Sequence, residues 1–134
     1  MEQNKKVILD KDSFLLYKKG KFELLDEIVF YIPMVAVSEL FYIAGEKDIS
    51  IFKIRDFLKG VQILDLSMET ALIYSDIRKY YSAKEKSNSK LYRDNLYYLA
   101  SLAIEYGYNL VVSKENYNVL KKYHHDDLVL VKAA

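Results

Sequence analysis

Apolar residues fall along this chain in blocks of two kinds. Val7-Ile8-Leu9, Val29–Ile32, Val61–Leu66, Leu110-Val111-Val112 and Leu128–Val131 are short runs rich in Val, Ile and Leu. They are apolar on both faces, which suits strands buried in a parallel sheet better than strands of a half-solvated antiparallel one. The stretches between them carry helical patterning. Ser13–Lys19 and Phe22–Asp26 read as short helices, and Pro33 suits the first helical position of a segment running Met34–Ala44. Asp48 suits the N-cap of Ile49–Lys59, and Ser67 that of a long helix reaching about Lys86. Ser87-Asn88-Ser89 is a turn cluster before the helical pattern Asn95–Tyr106, and Glu115–Lys122 reads as a last short helix. Gly20, Gly45, Gly60 and Gly107 each end an apolar segment, where a left-handed C-cap is expected.

Strands alternating with helices predict an α/β fold. The expected architecture is a three-layer α/β/α sandwich around a mainly parallel five-stranded sheet with right-handed crossovers. The 134 residues are expected to form one domain, 1–134, long enough to bury a core. No internal repeat or long linker divides it.

Composition narrows the function classes. A hydrophobic content of 51% with a single proline excludes a disordered chain. No apolar run approaches a membrane span, and no signal-peptide layout opens the sequence. The absence of cysteine excludes disulfide and thiolate chemistry and fits a soluble cytoplasmic protein. A net charge of +1 provides no general basic field, so contact with nucleic acid requires a local patch. No GxGxxG-type cluster cradles phosphates.

Four acids stand at distinct places in this pattern. Asp10 closes the first apolar run, Glu39 lies inside the apolar stretch Pro33–Ala44, Asp94 stands at the start of a helical pattern, and Glu115 follows Leu110-Val111-Val112 closely. Dispersed carboxylates without thiols are how a hard-metal, oxygen-ligand site looks in sequence. In an open α/β sheet, ligands bind at the carboxyl ends of the strands, where Asp10 and the Ser113–Glu115 turn belong. Glu39 shares a helix face with Val35 and Ile43. It is either a buried acid that requires a cation or donors, or a Glu at the edge of the stripe reaching solvent.

These residues resemble the PIN-domain nucleases. Val7-Ile8-Leu9-Asp10 followed by Phe14–Tyr17 is similar to that family's opening, and Met34–Leu40 with its Glu39-Leu40 pair resembles the second motif. Leu99–Ala103, Gly107 and Leu110–Ser113 resemble the third helix and fourth strand. Size and element order resemble the VapC-like toxins of toxin–antitoxin modules. The resemblance implies a PIN-like fold and an endoribonuclease that uses Mg²⁺ or Mn²⁺ to activate water against RNA phosphodiester bonds. It further implies a small antitoxin partner and a homodimer. By the same resemblance Asp10, Glu39, Asp94 and Glu115 are the catalytic metal ligands, and Ser113 orients a ligand or water.

The chain departs from the family pattern in three places. Lys11 and Asp12 stand where the family favours Thr and then Asn or Ser. Lys11 is then a candidate phosphate contact, and Asp12 a further ligand or a helix cap. Glu115 replaces the family's Asp. Ala100 and Ala103 are placed as if the third acid belonged at Leu96, so Asp94 is either a ligand reached by a local register shift or a surface acid favoured by the helix dipole. An alternative function follows from this, a PIN-fold RNA-binding or assembly module whose metal site has decayed.

Lys90, Arg93 and Lys114 flank the proposed site, as phosphate contacts or as solvated charge. His124-His125-Asp126-Asp127 has metal-binding residue types without the spacing of a site, and is expected to be a polar turn. The tyrosines, dense at Tyr74, Tyr80, Tyr81, Tyr92, Tyr97 and Tyr98, are better suited to helix packing or an interface than to base stacking.

Overall fold

The computed structural model of the protein describes residues 5–84 and 94–133. Within them lie five strands and six helices. The strands are β1 (Lys6–Leu9), β2 (Val29–Pro33), β3 (Gln62–Leu64), β4 (Asn109–Val112) and β5 (Leu130–Lys132). The helices are α1 (Lys11–Lys18), α2 (Met34–Glu46), α3 (Ile51–Phe57), α4 (Met68–Lys84), α5 (Asp94–Tyr106) and α6 (Lys114–Leu120).

All four strand pairings are parallel, in the order β3-β2-β1-β4-β5. β1 is central, pairing Ile8 with Tyr31 on one side and with Leu110 on the other. Successive side chains of a strand point to opposite faces, and both faces are covered at β1 and β4. The edge strands β3 and β5, expected to be buried, instead leave Ile63 and Val131 each 40% exposed. Val7 and Leu9 pack with Val111, Phe14 of α1, and Ala36, Val37 and Leu40 of α2. Ile8, Leu110 and Val112 pack instead with Ile77 and Tyr81 of α4, with the α5 stripe Leu96–Ala103, and with Leu120 of α6. These two cores are the interfaces of a three-layer sandwich. Each large aliphatic chain in them contributes about 1.5–3 kcal/mol through burial.

The tyrosines serve this packing. Tyr81 and Tyr97 stack at 4.7 Å between α4 and α5, and the Tyr81 hydroxyl donates to the Val119 carbonyl at 2.8 Å. Tyr92 lies outside the described residues, as do the Ser87–Ser89 turn and Lys86.

Several local expectations are corrected. Phe22–Asp26 is not helical. Gly20 turns the chain with φ +73°, and Phe22 and Leu24 then point into the core with the period of an extended segment. α2 runs through Gly45, and Asp48 takes the left-handed conformation after it at φ 54°, which Asp tolerates better than most residues. Ser50 rather than Asp48 caps α3, its hydroxyl accepting from Phe52 N at 3.2 Å. Pro33 ends β2 as the N-cap of α2. Ser67 begins α4 as expected, exchanging hydrogen bonds with Thr70. β5 starts late because Leu128 N donates to His125 O at 3.1 Å and holds Leu128 in a turn.

Candidate functional site

The order of the sheet creates a switch point between β1 and β4. The chain leaves β1 toward one face and β4 toward the other, so the helices that follow diverge and open a crevice at the carboxyl edge. A cleft of about 800 Å³ lies there. Its walls are Asp10 with Lys11 and Asp12 of α1; Ser38, Glu39, Tyr42 and Ile43 of α2; Asn95, Leu96 and Leu99 of α5; and Glu115, Asn116 and Val119 of α6. Four carboxylates and one ammonium thus share the cleft.

Asp10 is fixed most firmly. Its N–H extends the β1–β4 ladder, donating to Val111 O at 3.1 Å. Its side chain then caps α1, Oδ1 accepting from Ser13 N at 2.7 Å. Oδ2 accepts from Ser113 N at 2.9 Å and from the Asn116 side-chain amide at 2.7 Å. Asp10 is only 1% exposed, so these donors replace the water its charge would otherwise hold. Ser113 plays its part through its backbone N–H, while its hydroxyl caps α6 by accepting from Asn116 N at 3.3 Å.

Glu39 projects from α2 into the same cleft and is half-buried. Burial pushes its carboxyl above the usual range, the Lys11 ammonium offsets part of this, and the charges of Asp12 and Asp10 push it further up. Lys11 Nζ lies 3.1 Å from Asp12 Oδ1 and 4.0 Å from Glu39 Oε2. Glu115 lines the cleft from the exposed first turn of α6. Lys114, at the start of the same helix, is exposed and is not part of the lining. Arg93 and Lys90 lie outside the described residues.

Asp94 is placed elsewhere. It opens α5 and turns to α4, where Oδ1 accepts from the Tyr74 hydroxyl at 2.9 Å and meets Arg78 Nε at 3.4 Å. The Tyr74 hydroxyl is pushed up to about 12, first by burial and then by its bond to Asp94. Tyr74 also stacks on Tyr98 at 4.1 Å, so Asp94 belongs to the packing of α4 on α5. Leu96, two residues on, takes the cleft wall instead. The spacing of Ala100 and Ala103, both buried, pointed to this register. Among the described residues, no three His, Cys, Asp or Glu side chains gather closely enough to hold a metal ion between them. His125 lies in a polar turn, Nδ1 accepting from Asp127 N at 3.1 Å.

Sequence reasoning missed Asn116. The available signal was its place three residues after the capping Ser113, where a side chain on the first turn of a helix faces back toward the preceding strand end.

With its central strand, two covered faces and acidic crevice, the chain has the PIN-like α/β fold. No protein-family model and no curated protein sequence matches it. Solved structures do. A chain of VapBC2 from Rickettsia felis, bound to a DNA fragment from their promoter, superposes with a TM-score of 0.66 at 19% identity, covering 95% of this chain and 98% of that one. A chain of VapBC-5 from Mycobacterium tuberculosis, a member of the VapBC family of toxin–antitoxin systems, gives a TM-score of 0.62 at 14% identity, with 95% and 98% covered. At such identities the likeness establishes the fold. No helix among the described residues is long and apolar enough to cross a membrane.

Proposed function

We propose that this chain is a divalent-metal-dependent endoribonuclease, the toxin half of a toxin–antitoxin pair. The observation that carries this reading is the pairing of Asp10 with Glu39 on one cleft at the switch point of the sheet. Glu39 is half-buried beside two other carboxylates, with an ammonium 4.0 Å away. A cation placed there would relieve both the burial of its charge and the repulsion from its neighbours. Mg²⁺ fits this donor set, because it commonly binds one or two carboxylates and keeps several waters. Asp10 and Glu39 would hold Mg²⁺ or Mn²⁺, with Glu115 or Asp12 acting directly or through water.

A bound divalent cation supplies a nucleophilic hydroxide near neutral pH and neutralises charge on the phosphate under attack. The chain's own residues do the rest. Ser13, Ser113 and Asn116 hold both oxygens of Asp10, so its carboxylate is oriented before any ligand arrives. Lys11 offers a cation to a phosphodiester entering between α1 and α2, and Lys114 provides a second charge at the rim.

An antitoxin partner and a homodimer belong to the same proposal, as does a cytoplasmic location. Supporting a protein partner, Tyr42, Ile51 and Phe52 on α2 and α3 are 69%, 59% and 78% exposed. Ile51 and Phe52 are consecutive on α3, and adjacent exposed apolar side chains are what an interaction surface presents.

One observation favours a second reading. With Asp94 committed to Tyr74 and Arg78, and Leu96 on the cleft wall, the site has one acid fewer than the family pattern. This arrangement suits an RNA-binding or assembly module with a decayed metal site. Incubating the purified chain with structured RNA in Mg²⁺, Mn²⁺ or chelator separates the two. Cleavage that requires a divalent ion and is lost in Asp10→Asn supports the nuclease. Cation-independent RNA binding without cleavage, after removal of any bound protein, supports the module.

A further inference from the structure

Lys11 stands where a divalent cation would be most useful. It is the first residue of α1, its side chain is 23% exposed, and it lines the same cleft as Asp10, Glu39 and Glu115. Its ammonium touches Asp12 at 3.1 Å and reaches Glu39 at 4.0 Å. The aspartate beside it and the glutamate on α2 thus share one positive charge carried by the chain itself.

We propose that the Lys11 ammonium is a tethered counter-ion that competes with a divalent cation for the Glu39 carboxylate. The proposal rests on the reading that Asp10 and Glu39 bind such a cation. Two cations cannot share one half-buried carboxylate without repelling each other, and that repulsion is strong in a cleft less polar than water. The cation therefore enters only as Lys11 leaves. Its flexible four-carbon stem permits this, and an ammonium is a good partner for a phosphate. An RNA phosphodiester bound in the cleft gives Lys11 another anion, frees Glu39 and so favours the metal. By linkage, bound metal favours RNA to the same degree.

The test is Mn²⁺ binding by the full chain, followed by the electron paramagnetic resonance signal of free Mn²⁺ without RNA. Lys11→Met should bind Mn²⁺ about tenfold more tightly than wild type, because a fixed positive charge has gone. Lys11→Arg, which keeps the charge, should remain near wild type. Thermal melts in chelator check folding, and Lys11→Gln replaces the Met variant if that one is unfolded. Wild type that binds Mn²⁺ with the neutral variants no tighter overturns the counter-ion while leaving the metal reading intact. Binding that appears only in the neutral variants supports the proposal. No binding by any variant overturns both.

Discussion

The Asn116 side-chain amide donates to Asp10 Oδ2 across 2.7 Å, joining the first turn of α6 to the end of β1 over 106 residues of chain. Asp10 is also held by two backbone N–H groups, from Ser13 and Ser113. All three donors come from segments that follow strands β1 and β4, which adjoin in the sheet. The position of the acid is therefore set by topology, and Asn116 supplies the one donor that sequence can change without altering the backbone.

Asn116→Ala should destabilise the protein by about 1.5–3 kcal/mol, the usual worth of a hydrogen bond to a buried charge. Thermal melts in chelator would read this as a fall of several degrees. An unchanged melting temperature would mean that the amide contributes nothing to holding Asp10.

Much of this arrangement was legible from residue patterns. Val7-Ile8-Leu9 and Leu110-Val111-Val112 are apolar at every position because each strand is covered on both faces, and that pattern pointed to a parallel sheet, though not to which strands lie inside it. Asp10 and Glu39 were legible because a carboxylate ending such a strand, or lying in an apolar helix stripe, is costly without a purpose. Phe22–Asp26 was misread because Phe22 and Leu24 reach the core from an extended segment, a placement that local propensity does not encode. The pull of Tyr74 and Arg78 on Asp94 depends on α4 packing beside α5, a tertiary contact that spacing along α5 can only hint at. The reach of Lys11 to Glu39, between two helices, was equally invisible.

Glu39 gives the stability a pH dependence in chelator. Its carboxyl is raised in the folded state above its ordinary value of 4.5, chiefly by burial, so its charged form opposes folding. Below 4.5 it is protonated in both states and opposes nothing. As pH rises through 4.5 and then through the raised folded value, the unfolded chain ionises first and stability is lost. Glu39→Gln removes this group and should melt higher than wild type at neutral pH. The difference should shrink toward pH 4 in paired melts of the two proteins. A Gln variant less stable than wild type at neutral pH would show that the Lys11 contact outweighs the burial.

Leu96→Asp tests the missing acid. Leu96 is 5% exposed and packs in the α4–α5–α6 core, so the variant should lose at least about 2 kcal/mol in chelator. Mg²⁺ or Mn²⁺ should then restore more stability than either gives wild type, because a cation that binds the folded state stabilises it by mass action. Thermal shifts with and without the ion, measured for both proteins, make the comparison. An equal or smaller shift in the variant would mean that the residue on this wall does not face the cation.

The last comparison sets Asp94 against Asp10. Asp94→Asn keeps shape but weakens the links to Tyr74 and Arg78 that join α5 to α4. It should lower the melting temperature by a few degrees yet leave the divalent thermal shift and RNA cleavage close to wild type. Glu39→Gln also keeps shape and should behave oppositely, abolishing cleavage and most of the divalent shift without melting lower than wild type. Asp10→Asn should abolish both as well, but with a lower melting temperature, because its buried NH2 meets the N–H donors that held the carboxylate. Both readouts are needed, since loss of activity alone does not separate an unfolded protein from a disarmed one. Cleavage destroyed by Asp94→Asn in a protein that still melts cooperatively would show that Asp94 turns into the cleft when RNA or metal binds. The α4–α5 contact would then be a resting state of the acid.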